Sequence, residues 1–260
     1  MKLRNSTALI TGGTSGIGLE LVKQLSEQGV TLIVTGRSLD ALHKTQKQFP
    51  GIHIIQSDVS NSQDIVQLYE EVTRRFPALN MIVNNAGLMR LLDLHDTTDS
   101  IDDVVQEITT NLSGTIQMVQ QFMPHLKKQA SAAIVNVSSA IAFMPYSSAP
   151  IYSASKAGVH AYTQALRLQL QQTNIKVFEV IPPGVSTNLQ NNWVVQPNPA
   201  QMMSVVKMVD VIVKGLLKDA LEIKPALVSV IKALSRVVPG LLMNFGHNEF
   251  SKFKKLAASH

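Results

Sequence analysis

Cysteine is absent from all 260 residues. That excludes a disulfide framework, thiolate metal sites and a cysteine nucleophile, and it agrees with a reducing compartment. Long apolar runs are also missing, since none reaches the roughly 18 residues that a membrane-spanning helix needs. The opening Met1-Lys2-Leu3-Arg4-Asn5-Ser6 holds no apolar signal-peptide core. A soluble, cytoplasmic protein is expected. Nor is there a uniform excess of one charge. The formal net charge is +5, yet residues 1–200 carry 14 basic and 14 acidic side chains, and residues 201–260 carry nine and four. A nucleic-acid binder does not distribute its charge in this way. The seven histidines form no HExxH or comparable cluster, so no metal site is expected. Ser139 stands outside any G-x-S-x-G elbow, which argues against a hydrolase.

What the chain does have is a regular alternation of short apolar runs with longer segments of helical period. Thr7–Thr11, Thr31–Thr35, Ile52–Gln56, Leu79–Val83, Ala133–Val137 and Lys176–Ile181 read as strands. Between them, Ile17–Gln28, Leu39–Gln48, Ser62–Phe76 and Ser153–Gln172 read as helices, as does a long stretch over Ile101–Gln129 interrupted near Pro124. Near-continuous apolar strands, each followed by a helix, indicate a parallel sheet covered on both faces. Right-handed crossovers then give an α/β, Rossmann-type doubly wound parallel sheet in a single domain. Ligands in such sheets bind beyond the carboxyl ends of the strands, so functional residues are expected just after them.

The first strand runs into Thr11-Gly12-Gly13-Thr14-Ser15-Gly16-Ile17-Gly18 and then into a helix. A dinucleotide pyrophosphate requires backbone N–H groups at a helix N-terminus, and glycines where a Cβ would block its approach. Gly12 suits the tight turn, Gly16 the close approach and Gly18 the helix-to-strand packing. An ordinary glycine-rich turn is the plainer reading, and the βαβ setting favours the cofactor. After the second strand come Gly36-Arg37-Ser38. Gly36 offers no carboxylate to a ribose 2′-hydroxyl, while Arg37 offers a guanidinium to a 2′-phosphate unless it is simply a solvated loop arginine. NADPH is preferred to NADH on this ground. Asp58-Val59 follows the third strand and either contacts the adenine or lets Asp58 cap the next helix, for which Ser60 or Asn61 is better placed.

Thirteen residues beyond Ser139 stands Tyr152, with Lys156 one helical turn on. Positions i and i+4 share a helix face, so both side chains should project into the crevice. A nearby ammonium favours phenolate and lowers a tyrosine pKa from its usual value of about 10. Alone, Tyr-x-x-x-Lys marks an ordinary surface helix. With Thr11-Gly12-x-x-x-Gly16-x-Gly18, Asp58, Asn84-Asn85-Ala86-Gly87, Asn111 and Ser139, in this order over about residues 5–190, it resembles the short-chain dehydrogenase/reductase family.

That resemblance implies an NAD(P)(H)-dependent oxidoreductase with an Asn-Ser-Tyr-Lys tetrad. Tyr152 would protonate the carbonyl oxygen in reduction, and Ser139 would orient that oxygen, with Ser138 as a second contact. Lys156 would hold the nicotinamide ribose and lower the Tyr152 pKa, and Asn111 would anchor a relay water. The expected cofactor-binding set is Gly12, Thr14, Ser15, Gly16, Ile17, Gly18, Arg37, Asp58, Val59, Asn85, Ala86 and Gly87. Tyr152, Lys156, Val185 and Thr187 join it at the nicotinamide end. Matching Val185 and Thr187 to the family's Pro-Gly-x-Val-x-Thr puts Pro183 where glycine is usual, which removes a backbone donor.

Family members close the substrate site with the segment that follows, here about residues 188–203. Leu189 and Trp193 on it, and Met89 after the fourth strand, either wall an apolar carbonyl or alcohol substrate or pack on the sheet edge. The catalytic domain then covers residues 1–224, and residues 225–260 form a basic amphipathic extension. In it, Leu227, Val230, Ile231, Leu234, Val237 and Val238 follow helical spacing. Packing on the body or a sister subunit is preferred over membrane-surface contact. Similar proteins are commonly homodimers or homotetramers. The competing class is a nucleotide-sensing regulatory protein whose tail engages a membrane or partner, and the intact tetrad counts against it.

Overall fold

The computed structural model describes residues 3–95, 100–190 and 202–257, with the backbone alone for 249–257. The sheet consists of β1 (Thr7–Thr11), β2 (Thr31–Gly36), β3 (His53–Gln56), β4 (Leu79–Asn84), β5 (Ala132–Val137), β6 (Ile175–Val180) and β7 (Glu222–Ile223). All seven are parallel, in the order β3-β2-β1-β4-β5-β6-β7. The chain changes direction across the sheet between β1 and β4, which opens a crevice at the carboxyl ends of those strands.

Alternation along each strand builds the layers. Ala8 and Ile10 face one core with Leu21, Leu25, Leu42 and Met208, whereas Leu9 faces another with Leu68, Val72, Phe122 and Leu166. Apolar residues on both sides leave neither sheet face wet. The first layer is made by α1 (Gly16–Glu27), α2 (Leu39–Gln48) and α7 (Val205–Leu217). The second is made by α3 (Ser62–Arg75), α5 (Gly114–Leu126) and α6 (Pro150–Gln169). Ser38, Asn61 and Ser204 accept from the first free N–H groups of α2, α3 and α7, so Asn61 takes the capping role considered for Asp58.

Two expectations are corrected. The long helical stretch does not break near Pro124, which lies in the last turn of α5. It divides instead into α4 (Ile101–Glu107), a π-helical segment Ile108–Ser113 and α5. Such wide turns recur at functional sites, and this one holds Asn111. Helix α6 starts at Pro150 rather than Ser153, so Tyr152 lies inside its first turn. Proline at this position costs the helix no hydrogen bond.

Past β7, α8 (Ala226–Val237) and α9 (Pro239–Ala257) fold back onto the body. Val228 of α8 is buried with Ala140 and Ile181, while Leu227, Val230, Leu234 and Val237 face outward. Among the described residues, no single helix is long and apolar enough to cross a membrane.

Candidate active site

The turn after β1 is tight enough to require glycine. Gly12 has φ +64°, and a Cβ there would lie 2.8 Å from Ala86 Cα; a Cβ on Gly18 would lie 2.2 Å from the Gly12 carbonyl oxygen. Asn85 braces this turn, donating from Nδ2 to the Thr11 and Gly12 carbonyls at 3.0 Å each. Helix α1 then begins with Ser15 as its cap residue, whose side chain makes no cap bond. Its first N–H groups are therefore open to an anion at the positive end of the helix dipole. Thr187 reaches across from the β6 end, 3.2 Å from where a Gly16 Cβ would sit. A cavity of about 310 Å³ lies here, lined by Thr14, Ser15, Gly16, Ser186 and Thr187.

Arg37 is exposed just past β2, and Gly36 beside it packs against Thr14. Asp58 Oδ1 accepts from the Ser60 N–H at 2.9 Å and the Ser60 hydroxyl at 2.7 Å. Val59 is buried against Gly114, at the start of α5. A cradle that any Cβ would fill and an open helix N-terminus fit a dinucleotide.

Across the crevice, Ser139 follows β5, while Tyr152 and Lys156 share one face of α6. The Ser139 hydroxyl lies near enough to the Tyr152 phenol to favour its ionised form. Lys156 Nζ donates to the Val137 carbonyl at 2.9 Å and lies 5.7 Å from the centre of the Tyr152 ring. Burial pushes the phenol up to about 12; the nearby Ser139 hydroxyl opposes this rise and the Glu107 charge reinforces it. Burial also lowers Lys156 to about 8. The lowering of Tyr152 expected from Lys156 is thus not what this arrangement gives, because desolvation prevails. The phenol is protonated at neutral pH, the form a general acid requires.

Asn111 Oδ1 accepts from the Leu88 N–H at 2.9 Å, and its Nδ2 donates to the Leu88 carbonyl at 2.9 Å and to Ser155 Oγ at 3.0 Å. Both ends of the amide are engaged by the chain, so Asn111 clamps the loop after β4 onto α6. Gly87 lies between, where a Cβ would be 3.2 Å from Asn111 Oδ1 and 3.6 Å from Lys156 Nζ. Asn111, Ser139, Tyr152 and Lys156 are thereby gathered at one end of the crevice.

Three further polar residues shape the site without belonging to any motif. Glu107, fully buried one turn before Asn111, accepts from the Arg90 N–H at 2.8 Å, and burial raises its carboxyl. Gln190 accepts from the Thr187 N–H at 3.2 Å and donates to the Val185 carbonyl at 3.1 Å, which holds that segment in place. Glu179 of β6 accepts from the Ser138 hydroxyl at 2.6 Å, so Ser138 is committed to the core and is not a second substrate contact. The only sequence signal for Glu179 is a carboxylate within Val177-Phe178-Glu179-Val180-Ile181. After β4, Met89 and Leu91 pack with Ile141, Ala149 and Tyr152. Leu189 lies in the short turn Asn188–Gln190, and Trp193 lies outside the described residues.

The family model for short chain dehydrogenases matches residues 6–198. Over 189 residues the chain is 42% identical to DltE of Bacillus subtilis, named an uncharacterized oxidoreductase, covering 73% of this chain and 75% of that one. A short chain dehydrogenase from Burkholderia cenocepacia in complex with NADP has a TM-score of 0.80 and 26% identity, over 93% of this chain and 97% of that one. One from Burkholderia phymatum in complex with NAD has a TM-score of 0.80 over 89% and 93%, and at 21% identity shares the fold alone.

Proposed function

The chain belongs to the short-chain dehydrogenase/reductase family and is an NAD(P)-dependent oxidoreductase, and from that premise we propose that it reduces a small-to-medium apolar ketone or aldehyde with NADPH, or oxidises the corresponding alcohol. The observation that carries this reading is a buried, protonated phenol beside the Ser139 hydroxyl and the apolar Met89 and Leu91. A bound nicotinamide would supply the hydride. The chain's own residues do the remaining work. Ser139 and Tyr152 hold the substrate oxygen between two hydroxyls, and Tyr152 releases its proton to that oxygen. Lys156 holds ribose hydroxyls, and Asn111 keeps the loop after β4 closed on α6.

Gly12, Thr14, Ser15, Gly16, Ile17 and Gly18 cradle the pyrophosphate. Asn85, Ala86 and Gly87 would form the adjoining wall, and Val185 and Thr187 would hold the carboxamide. Asp58 and Val59 would contact the adenine, and Arg37 would take the 2′-phosphate. The substrate pocket is closed by Met89 and by the segment bearing Leu189 and Trp193. The same reading makes the protein a cytoplasmic homodimer or homotetramer.

The test is NADPH oxidation with a panel of apolar ketones and aldehydes, repeated with NADH. Turnover should be faster with NADPH, and Arg37→Asp should lower that preference by ~10–100-fold, the loss of a charge-assisted phosphate contact. An unchanged ratio removes Arg37 from the site. The outward row on α8 favours one alternative, a nucleotide-binding regulator whose extension meets a partner. That reading predicts NADPH binding with no turnover of any carbonyl.

A further inference from the structure

Glu179 is a carboxyl group buried among apolar neighbours. Val177, Phe178, Val180 and Ile181 around it are buried, and Glu179 itself has no exposed surface. A carboxylate so placed is costly unless hydrogen-bonded donors face it. Two do, and both reach the same oxygen. Oε1 accepts from the Ser138 hydroxyl at 2.6 Å and from His160 Nδ1 at 2.8 Å. Oε2 has no hydrogen-bond partner among the described residues.

The two donors belong to different elements. Ser138 is adjacent to Ser139 at the end of β5. His160 lies one turn beyond Lys156 and two beyond Tyr152, on the same face of α6. One oxygen on β6 therefore joins the strand end that carries Ser139 to the helix that carries the phenol. The outer side is closed by the Phe143 ring, edge-on to His160 at 4.8 Å, with Lys232 of α8 lying 5.5 Å from the centre of that ring. A second ladder, Asn84 to Asn136 to Thr163, ties β4, β5 and α6 deeper in the core, but none of its members adjoins a tetrad residue in the chain.

We propose that Glu179 is a positioning residue for the reaction, setting the separation of the Ser139 hydroxyl and the Tyr152 phenol by holding Ser138 and His160 on one oxygen. This inference rests on the roles given to Ser139 and Tyr152 above. Glu179→Ala should lower kcat by ~10–100-fold with the KM for NADPH unchanged, the cost of misplacing groups by a fraction of an ångström to one ångström. Glu179→Gln keeps an oxygen that accepts from both donors and should recover most of that loss. Ser138→Ala and His160→Ala should each lower kcat, and the double variant should lose no more than the worse single one, because both act through the same atom. These variants decide the question if Glu179→Ala does not fold.

Values of kcat within about twofold of wild type in Ser138→Ala and His160→Ala, far below a tenfold effect in rate, would overturn the proposal. So would a fall in kcat matched by an equal loss of NADPH binding. Tyr152→Phe assayed alongside separates the two levels. Undiminished turnover there overturns the assignment of the acid, whereas a dead Tyr152→Phe beside unimpaired Ser138 and His160 variants overturns the positioning role alone.

Discussion

The charge that acts on the Tyr152 phenol comes from Glu107, and a negative neighbour disfavours phenolate. Removing that charge should therefore lower the phenol from its position near 12. Glu107→Gln preserves an acceptor for the Arg90 N–H, so the loop need not move. The chain has four tyrosines, few enough for an alkaline tyrosinate titration to resolve one of them by subtraction of Tyr152→Phe. The expected outcome is ionisation of Tyr152 at lower pH in Glu107→Gln; an unchanged or higher transition would rule out the electrostatic link. At the same scale, Tyr152, Ser139 and Lys156 are legible because, together with the glycine turn and Asn111, they match the motifs of the short-chain dehydrogenase/reductase family in order and spacing. Glu107 and Glu179 are not, because apolar periodicity tells which face is buried and not which polar group is buried with it.

Elements show the same division between what periodicity carries and what it does not. The first six strands lie within a residue or so of where their apolar runs place them, since a strand buried on both faces is marked by composition alone. The π-helical turn around Asn111 leaves the pattern nearly undisturbed, as one extra residue per turn shifts the apolar positions only locally. The landing place of the C-terminal helices is a tertiary fact with no local signal. There, a Cβ on Gly246 of α9 would lie 2.1 Å from the Pro145 carbonyl oxygen, and His247 Nδ1 meets Ser147 Oγ at 3.0 Å. Both contacts fall on the loop between Ser139 and Tyr152, so the extension buttresses the active site. Gly246→Val should lift α9 from that loop at a cost of about 1–3 kcal/mol, typical of overpacking. A lower Tm and a raised substrate KM, with NADPH binding retained, are expected. Unaltered Tm and KM would mean that α9 does not support the loop.

For the molecule as a whole, the uneven charge resolves into local anchoring. Lys224 and Lys232 both bond Glu222 of β7, at 2.6 Å and 2.5 Å. Although burial alone would raise its carboxyl, these two lysines hold Glu222 down to about 2. Part of the basic excess thus fastens the extension to the last strand. The neutral body presents isolated cations instead, Arg37 at one end of the crevice and Lys156 at the other, separated by the switch between β1 and β4. The reduction proposed for this crevice depends on the Tyr152 proton reaching a substrate oxygen. The decisive measurement compares NADPH oxidation by wild type and Tyr152→Phe on the best carbonyl substrate, alongside NADPH binding by fluorescence titration. Loss of about 10²–10⁴-fold in kcat, the usual worth of a positioned general acid, with unchanged NADPH affinity is the expected result; turnover equal to that of wild type would contradict it.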